Sequence, residues 1–194
     1  MMGPWASSFW SATAGPPPVY CSPLARAAET ARIVAQCLTR EGFHGDFDVH
    51  VDQRFTDINV GSWTGLSLSL AEARDPGLYD SWVKFPHTVR FPGGQTLGEV
   101  QDAAWSGVLS LVPLLEVTDV ILVSHRLTLK TVILRAIGAG LQHFWQIRLD
   151  TASISILETG GYGTSAQGGG PFTLSRLNDV SHLASLRLPD RADF

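Results

Sequence analysis

Hydrophobic and polar positions follow two rhythms along the chain, and the rhythms take turns. Val19-Tyr20-Cys21 is a short apolar run stopped by Ser22-Pro23, which predicts a strand. Leu24, Ala27, Ala28, Ala31, Val34, Ala35 and Leu38 then recur at helical spacing, and Phe47 to Val51 alternates as a strand does. Gly61 to Gly65 reads as a loop, and Asp75-Pro76-Gly77 as a turn between short helical pieces. From Thr96, the expected N-cap, Leu97, Val100, Ala104, Val108, Leu111 and Leu115 form one face of a long amphipathic helix. Val120-Ile121-Leu122-Val123 is an unbroken apolar run, which predicts an inner strand buried on both faces. A helix from about Leu127 to Ile137 follows and stops at Gly138. Ala152 to Leu157 alternates again, Gly160 to Gly170 is a glycine-rich turn, and Phe172 to Arg176 is its expected hairpin partner. Strands interleaved with helices predict an α/β domain with a mainly parallel sheet.

Composition narrows this picture. The 194 residues amount to one domain's worth, and no internal repeat or linker divides them. A net charge of −4 gives no reason to expect nucleic-acid or acidic-lipid partners. Cys21 and Cys37 fall on a strand end and a helix, which is no disulfide framework. No apolar run approaches the ~18 residues of a membrane helix. The expected setting is soluble and cytoplasmic. The first 25 residues carry no charged side chain, yet they lack a basic n-region, and Gly3, Pro4, Ser7 and Ser8 break the apolar stretch, so a secretory signal is not expected. Residues 1–18 read instead as an atypical or mis-started segment before a single domain over 19–194.

In open α/β sheets, ligands bind beyond the carboxyl ends of the strands. Two predicted strands end in polar residues there, at Cys21-Ser22 and Ser124-His125. Arg26 lies in the first turn of the following helix, where a guanidinium can fork two hydrogen bonds to a phosphate or simply solvate the helix. His125 at a strand tip is equally open to catalysis and to a structural hydrogen bond.

These residues carry a family resemblance. Val19-Tyr20-Cys21-Ser22-Pro23-Leu24-Ala25-Arg26-Ala27-Ala28-Glu29-Thr30-Ala31 resembles the strand-Ser-Ser-Pro-Leu-x-Arg-Ala-x-x-Thr-Ala segment of the histidine phosphatase, or phosphoglycerate mutase-like, superfamily. The blocks Phe55 to Gly65, Pro92 to Thr96, Val120 to His125 and Arg176 to Leu183 are similar to further family segments, in the family's order. The resemblance implies a three-layer α/β/α fold and a phosphohistidine mechanism on a phosphate monoester. In it a His of an Arg-His-Gly motif attacks phosphorus, arginines and a second His hold the phosphoryl oxygens, and a carboxylic acid protonates the leaving group. Carried over by position, His125 and Asp57 are the candidate catalytic residues, and Ser22, Arg26 and Arg126 the candidate substrate-binding ones. No metal or cofactor is implied; the implied partner is a small phosphorylated substrate.

The departures from the family pattern matter as much. The chain contains no Arg-His-Gly, and only 18 residues precede Val19. The expectation is therefore a truncated chain, without the family's first strand and inactive as it stands. A gap beside Val120 to Val123 would bring marginal stability or self-association into a homo-oligomer. Asp57 stands where the family usually has Glu, which would set its proton about 1.5 Å further back. Arg126 replaces a glycine and either adds charge near the phosphate or points to solvent. The contrasting reading is a non-catalytic anion-binding module. Cys21 as the nucleophile of a cysteine phosphatase fails on spacing to Arg26. Leu66 to Pro92, with Trp82, Lys84, His87 and Arg90, is the expected substrate lid.

Overall fold

Three short parallel strands organise the first part of the structure. In the computed structural model, which describes residues 17–40, 48–159 and 172–186, β1 (Val19–Cys21) lies between β2 (Val49–Val51) and β3 (Ile121–Val123). Val19 pairs with both Val49 and Ile121, and Cys21 with Val51 and Val123. Helix α1 (Ala25–Arg40) covers one face. Val19 and Cys21 turn towards its alanines Ala28, Ala31 and Ala35, with Val49, Ile121 and Val123 beside them. Alternation sends Tyr20 to the opposite face, where its ring stacks on His50 with centroids 4.8 Å apart. The architecture is mixed α/β with a parallel sheet, as the pattern predicts.

Two expectations need correction. The strand begins at Ile121, and all three of its residues are only half-buried. Among the described residues it pairs with one neighbour, β1, and so stands at an edge of this three-stranded sheet rather than inside it. A β-branched apolar run reports demand for burial, not how many strands are present to meet it. Helix α4 (Leu97–Leu111) also ends before Leu115, which falls in a 3₁₀ turn, Val112–Glu116. Pro113 lacks the N–H that another α-turn needs.

The chain divides into two compact units, one drawn from Met1–Asp57 with Asp102–Thr128, the other from Ile58–Gln101 with Leu129–Phe194. In the first, residues 52–57 are fastened to α4. Arg54 clasps the Asp52 carboxylate and reaches Ser106 O at 3.3 Å and Ser110 Oγ at 3.0 Å. That grip holds the Asp52 carboxyl below its ordinary range. Phe55 is fully buried, and its ring lies so close over Gly107 that a Cβ there would meet Cζ at 2.6 Å.

The second unit contains helices α2 (Leu68–Arg74) and α3 (Pro76–Lys84), much of α5 (Arg126–Ala136), and the antiparallel hairpin β4 (Ile154–Thr159) and β5 (Phe172–Asp179). Asp75 caps α3 through Leu78 N at 3.1 Å, with Pro76 following it. Thr96 and Glu99 form a capping box: Glu99 N donates to Thr96 Oγ1 at 3.1 Å, and Thr96 N to Glu99 Oε2 at 2.8 Å. Trp82 is 3% exposed and packs edge-on to Phe91 and Trp145, so in the expected lid it is core. Lys84 pairs with Asp80 and Arg90 with Glu99 in the same unit. The buried Lys130 ammonium sits 4.9 Å from the Trp145 ring centroid. Asn178 adopts φ 54° and exchanges side-chain hydrogen bonds with Asp150 N and Oδ2, which gives the tail block a structural purpose. The proposed glycine-rich turn, Phe47 and the N-terminal segment up to residue 16 lie outside the described residues.

Two of the family-like blocks meet in this unit. Ser62 N donates to Pro92 O, and Gln95 N to Asn59 O. Gly61, at φ +52°, would bring a Cβ within 2.1 Å of Pro92 O, and a Cβ on Gly94 would lie 2.3 Å from Asn59 O. Gly61→Ala or Gly94→Ala is expected to destabilise the protein by more than about 2 kcal/mol, the range of strained, clashing backbone sites. Urea unfolding of the two variants measures this; a change within about 0.5 kcal/mol, as at ordinary surface sites, contradicts it.

Candidate functional site

Parallel pairing of β1 with β3 sets two chain ends side by side. Ser22 N donates to Val123 O at 3.0 Å, so the turn leaving β1 is bonded to the end of β3. After β1 the chain runs through Ser22-Pro23-Leu24 into α1, and Arg26 stands in its first turn. After β3 it runs through Ser124 and His125 into α5, and Arg126 opens that helix. Two helix N-termini thus begin at the carboxyl ends of adjacent strands, where backbone N–H groups favour an anion.

Asp57 reaches this place from a third segment. Ser124 Oγ donates to Phe55 O at 2.7 Å, and Thr128 Oγ1 donates to Thr56 O at 3.0 Å. With Phe55 anchored beneath and the two carbonyls held, the next residue has little freedom. Asp57 Oδ2 accepts from Arg26 Nη2 at 2.7 Å and lies 3.5 Å from His125 Nδ1. The second distance is too long for a good hydrogen bond but short enough for the charge to be felt. Arg26 keeps a side-chain exposure of 62%, so its remaining donors are open to a ligand, whereas His125 is 5% exposed.

Burial, with a contribution from the Arg26 charge, pushes the His125 imidazole below its ordinary value, and Asp57 opposes this. Ser22 is fully buried, and its hydroxyl lies 2.7 Å from His125 Nε2. Arg126 is half-buried and makes no hydrogen bond or ion pair among the described residues. The structure therefore gathers Ser22, Arg26, Asp57 and His125 around one place, with Arg126 next in the chain. Burial raises the Cys21 thiol, only partly offset by Arg32, which is the wrong direction for a thiolate nucleophile. The sequence reading missed Ser124 and Thr128. Their signal is faint: two hydroxyl residues within three positions of a candidate histidine, where a strand gives way to a helix.

Among the described residues no helix is long and apolar enough to cross a membrane. A model of the histidine phosphatase superfamily (branch 1) matches residues 8–168. A bifunctional protein of Mycobacterium tuberculosis is 30% identical over 161 residues, covering 83% of this chain and 42% of that protein. Phosphoserine phosphatase 1 of Hydrogenobacter thermophilus is 29% identical over 140 residues, covering 72% of this chain and 63% of its own length. The chain thus spans less than two thirds of either relative. The solved structure of YhfR from Bacillus stearothermophilus superposes with a TM-score of 0.72 at 29% identity, over 86% of this chain and 75% of that one. The family's blocks, the strand-end crevice and these likenesses agree, and the chain belongs to the histidine phosphatase superfamily.

Proposed function

We propose that Arg26, Asp57 and His125 form the phosphate-binding part of a phosphatase or phosphoglycerate mutase-like active site that takes a small phosphate monoester. The observation carrying this reading is convergence: three side chains from distant segments, each in a block matching the family, meet within 2.7 to 3.5 Å. Arg26 would fork onto two phosphoryl oxygens and His125 would donate to another, holding charge that spreads over the equatorial oxygens during transfer. Arg26 holds Asp57 through Nη2 and keeps its other donors open to the phosphate. Asp57, beside the pocket, stands where the family's acid would serve the leaving oxygen. The relatives' names place phosphoserine phosphatase among similar proteins, which supports a small phosphorylated substrate.

The nucleophile is a separate matter. None of the six histidines stands in an Arg-His-Gly sequence. A polypeptide of these 194 residues therefore binds phosphate without forming phosphohistidine. The contrasting reading, an anion-binding module, shares the pocket and differs only in whether any chain carrying it turns substrate over.

Inorganic phosphate is expected to bind this chain in calorimetry, and Arg26→Ala to weaken it at least tenfold, the loss typical of a charge-assisted bond. p-Nitrophenyl phosphate should be hydrolysed no faster than in buffer. Absence of phosphate binding removes the pocket; turnover that is lost in His125→Ala shows that this site works with a nucleophile other than an Arg-His-Gly histidine.

A second expectation concerns pH. Folded His125 resists protonation, while the unfolded chain takes up a proton near the ordinary value of 6.5. The unfolded state then binds more protons below that pH, so stability falls as pH drops through it and is fully present above it. Urea unfolding at about pH 7.5 and about pH 5.5 should show this loss, and His125→Gln should reduce it. An unchanged difference in the variant contradicts the assignment.

A further inference from the structure

We propose that Ser22 is a positioning residue that fixes the tautomer of His125, keeping its proton on Nδ1, the nitrogen that faces Asp57. The inference rests on reading the Arg26, Asp57 and His125 crevice as a phosphate pocket, and it gives that pocket a defined donor.

A buried hydroxyl and a buried ring nitrogen must each find a partner. A serine hydroxyl has one proton to give and two lone pairs to receive. One lone pair of Ser22 Oγ accepts the Leu24 N–H at 3.2 Å. His125 Nε2, at 2.7 Å, is the other partner, and the Ser22 hydroxyl makes no further hydrogen bond among the described residues. Ser22 is 0% exposed, so its proton has no bulk water to turn to. If Nε2 carried a proton it would donate to Ser22, and the hydroxyl proton would be buried with nothing to accept it. If the hydroxyl donates instead, Nε2 is the acceptor, and both the hydroxyl proton and the Nε2 lone pair are satisfied. A neutral imidazole whose Nε2 accepts must carry its hydrogen on Nδ1.

The serine is itself held by the backbone. Leu24 O receives the N–H groups of Ala27 and Ala28 as α1 begins, so the Leu24 N–H that grips Ser22 Oγ belongs to an ordered helix start. Strand β1 supplies the other anchor through Ser22 N and Val123 O. The hydroxyl thus reads the position of both strands. Its consequence lies at the opposite edge of the imidazole. Nδ1–H faces the side where Asp57 Oδ2 lies 3.5 Å away, which is where a phosphoryl oxygen would seek a donor. A second proton would have to enter at Nε2, turning the Ser22 hydroxyl away. That penalty acts together with burial and the Arg26 charge, and against the attraction of Asp57. His125 therefore serves as a neutral donor with a fixed direction, and Ser22 acts through it without touching the ligand.

Long-range proton–nitrogen correlation spectra of the ¹⁵N-labelled chain report the tautomer directly, with the His125 signals assigned by their loss in His125→Gln. The expected pattern is a neutral ring protonated at Nδ1. Ser22→Ala should give a shifted or averaged pattern and weaken inorganic phosphate binding about fivefold, the effect of one ordinary hydrogen bond. Ser22→Thr, which keeps the hydroxyl, should retain the original pattern. A ring protonated at Nε2 in the unaltered chain overturns the proposal, and so does an unchanged pattern in Ser22→Ala. The unaltered chain decides the tautomer even if the variants fold poorly. An Nδ1 proton in a chain that binds no phosphate would support the role of Ser22 and remove only the pocket reading.

Discussion

The parallel register of β1 and β3 is the constraint on which the rest of the first unit depends. Because Cys21 stands opposite Val123, the residues just beyond each strand emerge at one level. Ser22 and His125 come within 2.7 Å although 103 positions separate them. A slip of β1 by one residue would turn its side chains over, sending Cys21 to the sheet face away from α1 and separating the hydroxyl from the ring. The alanine stripe of α1 guards against that slip, since its small side chains accept Val19 and Cys21 only when these point towards it. Core packing and site geometry are therefore one requirement.

The third arm of the site is fixed differently. Asp57 belongs to no regular element, and its position is inherited from neighbours that are held. Arg54 grips α4 through Ser106 and Ser110, Phe55 lies against Gly107, and the carbonyls of Phe55 and Thr56 receive hydroxyls from Ser124 and Thr128. Irregular backbone ordered in this way can place a carboxylate as firmly as a strand can. Rotamer freedom for Asp57 is limited in turn by Arg26, itself in the first turn of a packed helix.

How much of this could be read in the sequence follows from range. The start of α1, the Thr96 N-cap and the Asp75-Pro76 boundary depend on residues within four positions of one another, and all were legible. The family blocks carried Arg26, Asp57 and His125, which the structure brings together. Burial of β3 was not legible, because an apolar run cannot state how many strands lie beside it. Neither was the work of Ser22, Ser124 and Thr128. A hydroxyl group is compatible with a cap, a turn or a buried bond, and only the partner across 69 to 103 positions distinguishes them. Trp82 was legible only as part of the expected lid, and its aromatic neighbours are what make it core.

The paired glycines of the second unit have a consequence for how its sequence can drift. What faces Gly61 is Pro92 O and the Gly94 backbone, and what faces Gly94 is Asn59 O and Gly61 N. When two side chains collide, shortening one of them makes room for the other. Here the obstacles are main-chain atoms, which every residue carries, so no exchange at a neighbouring position opens space. The two positions have no compensating partners and behave as fixed points in sequence space. The loops they join can change length and chemistry only by pivoting around that contact.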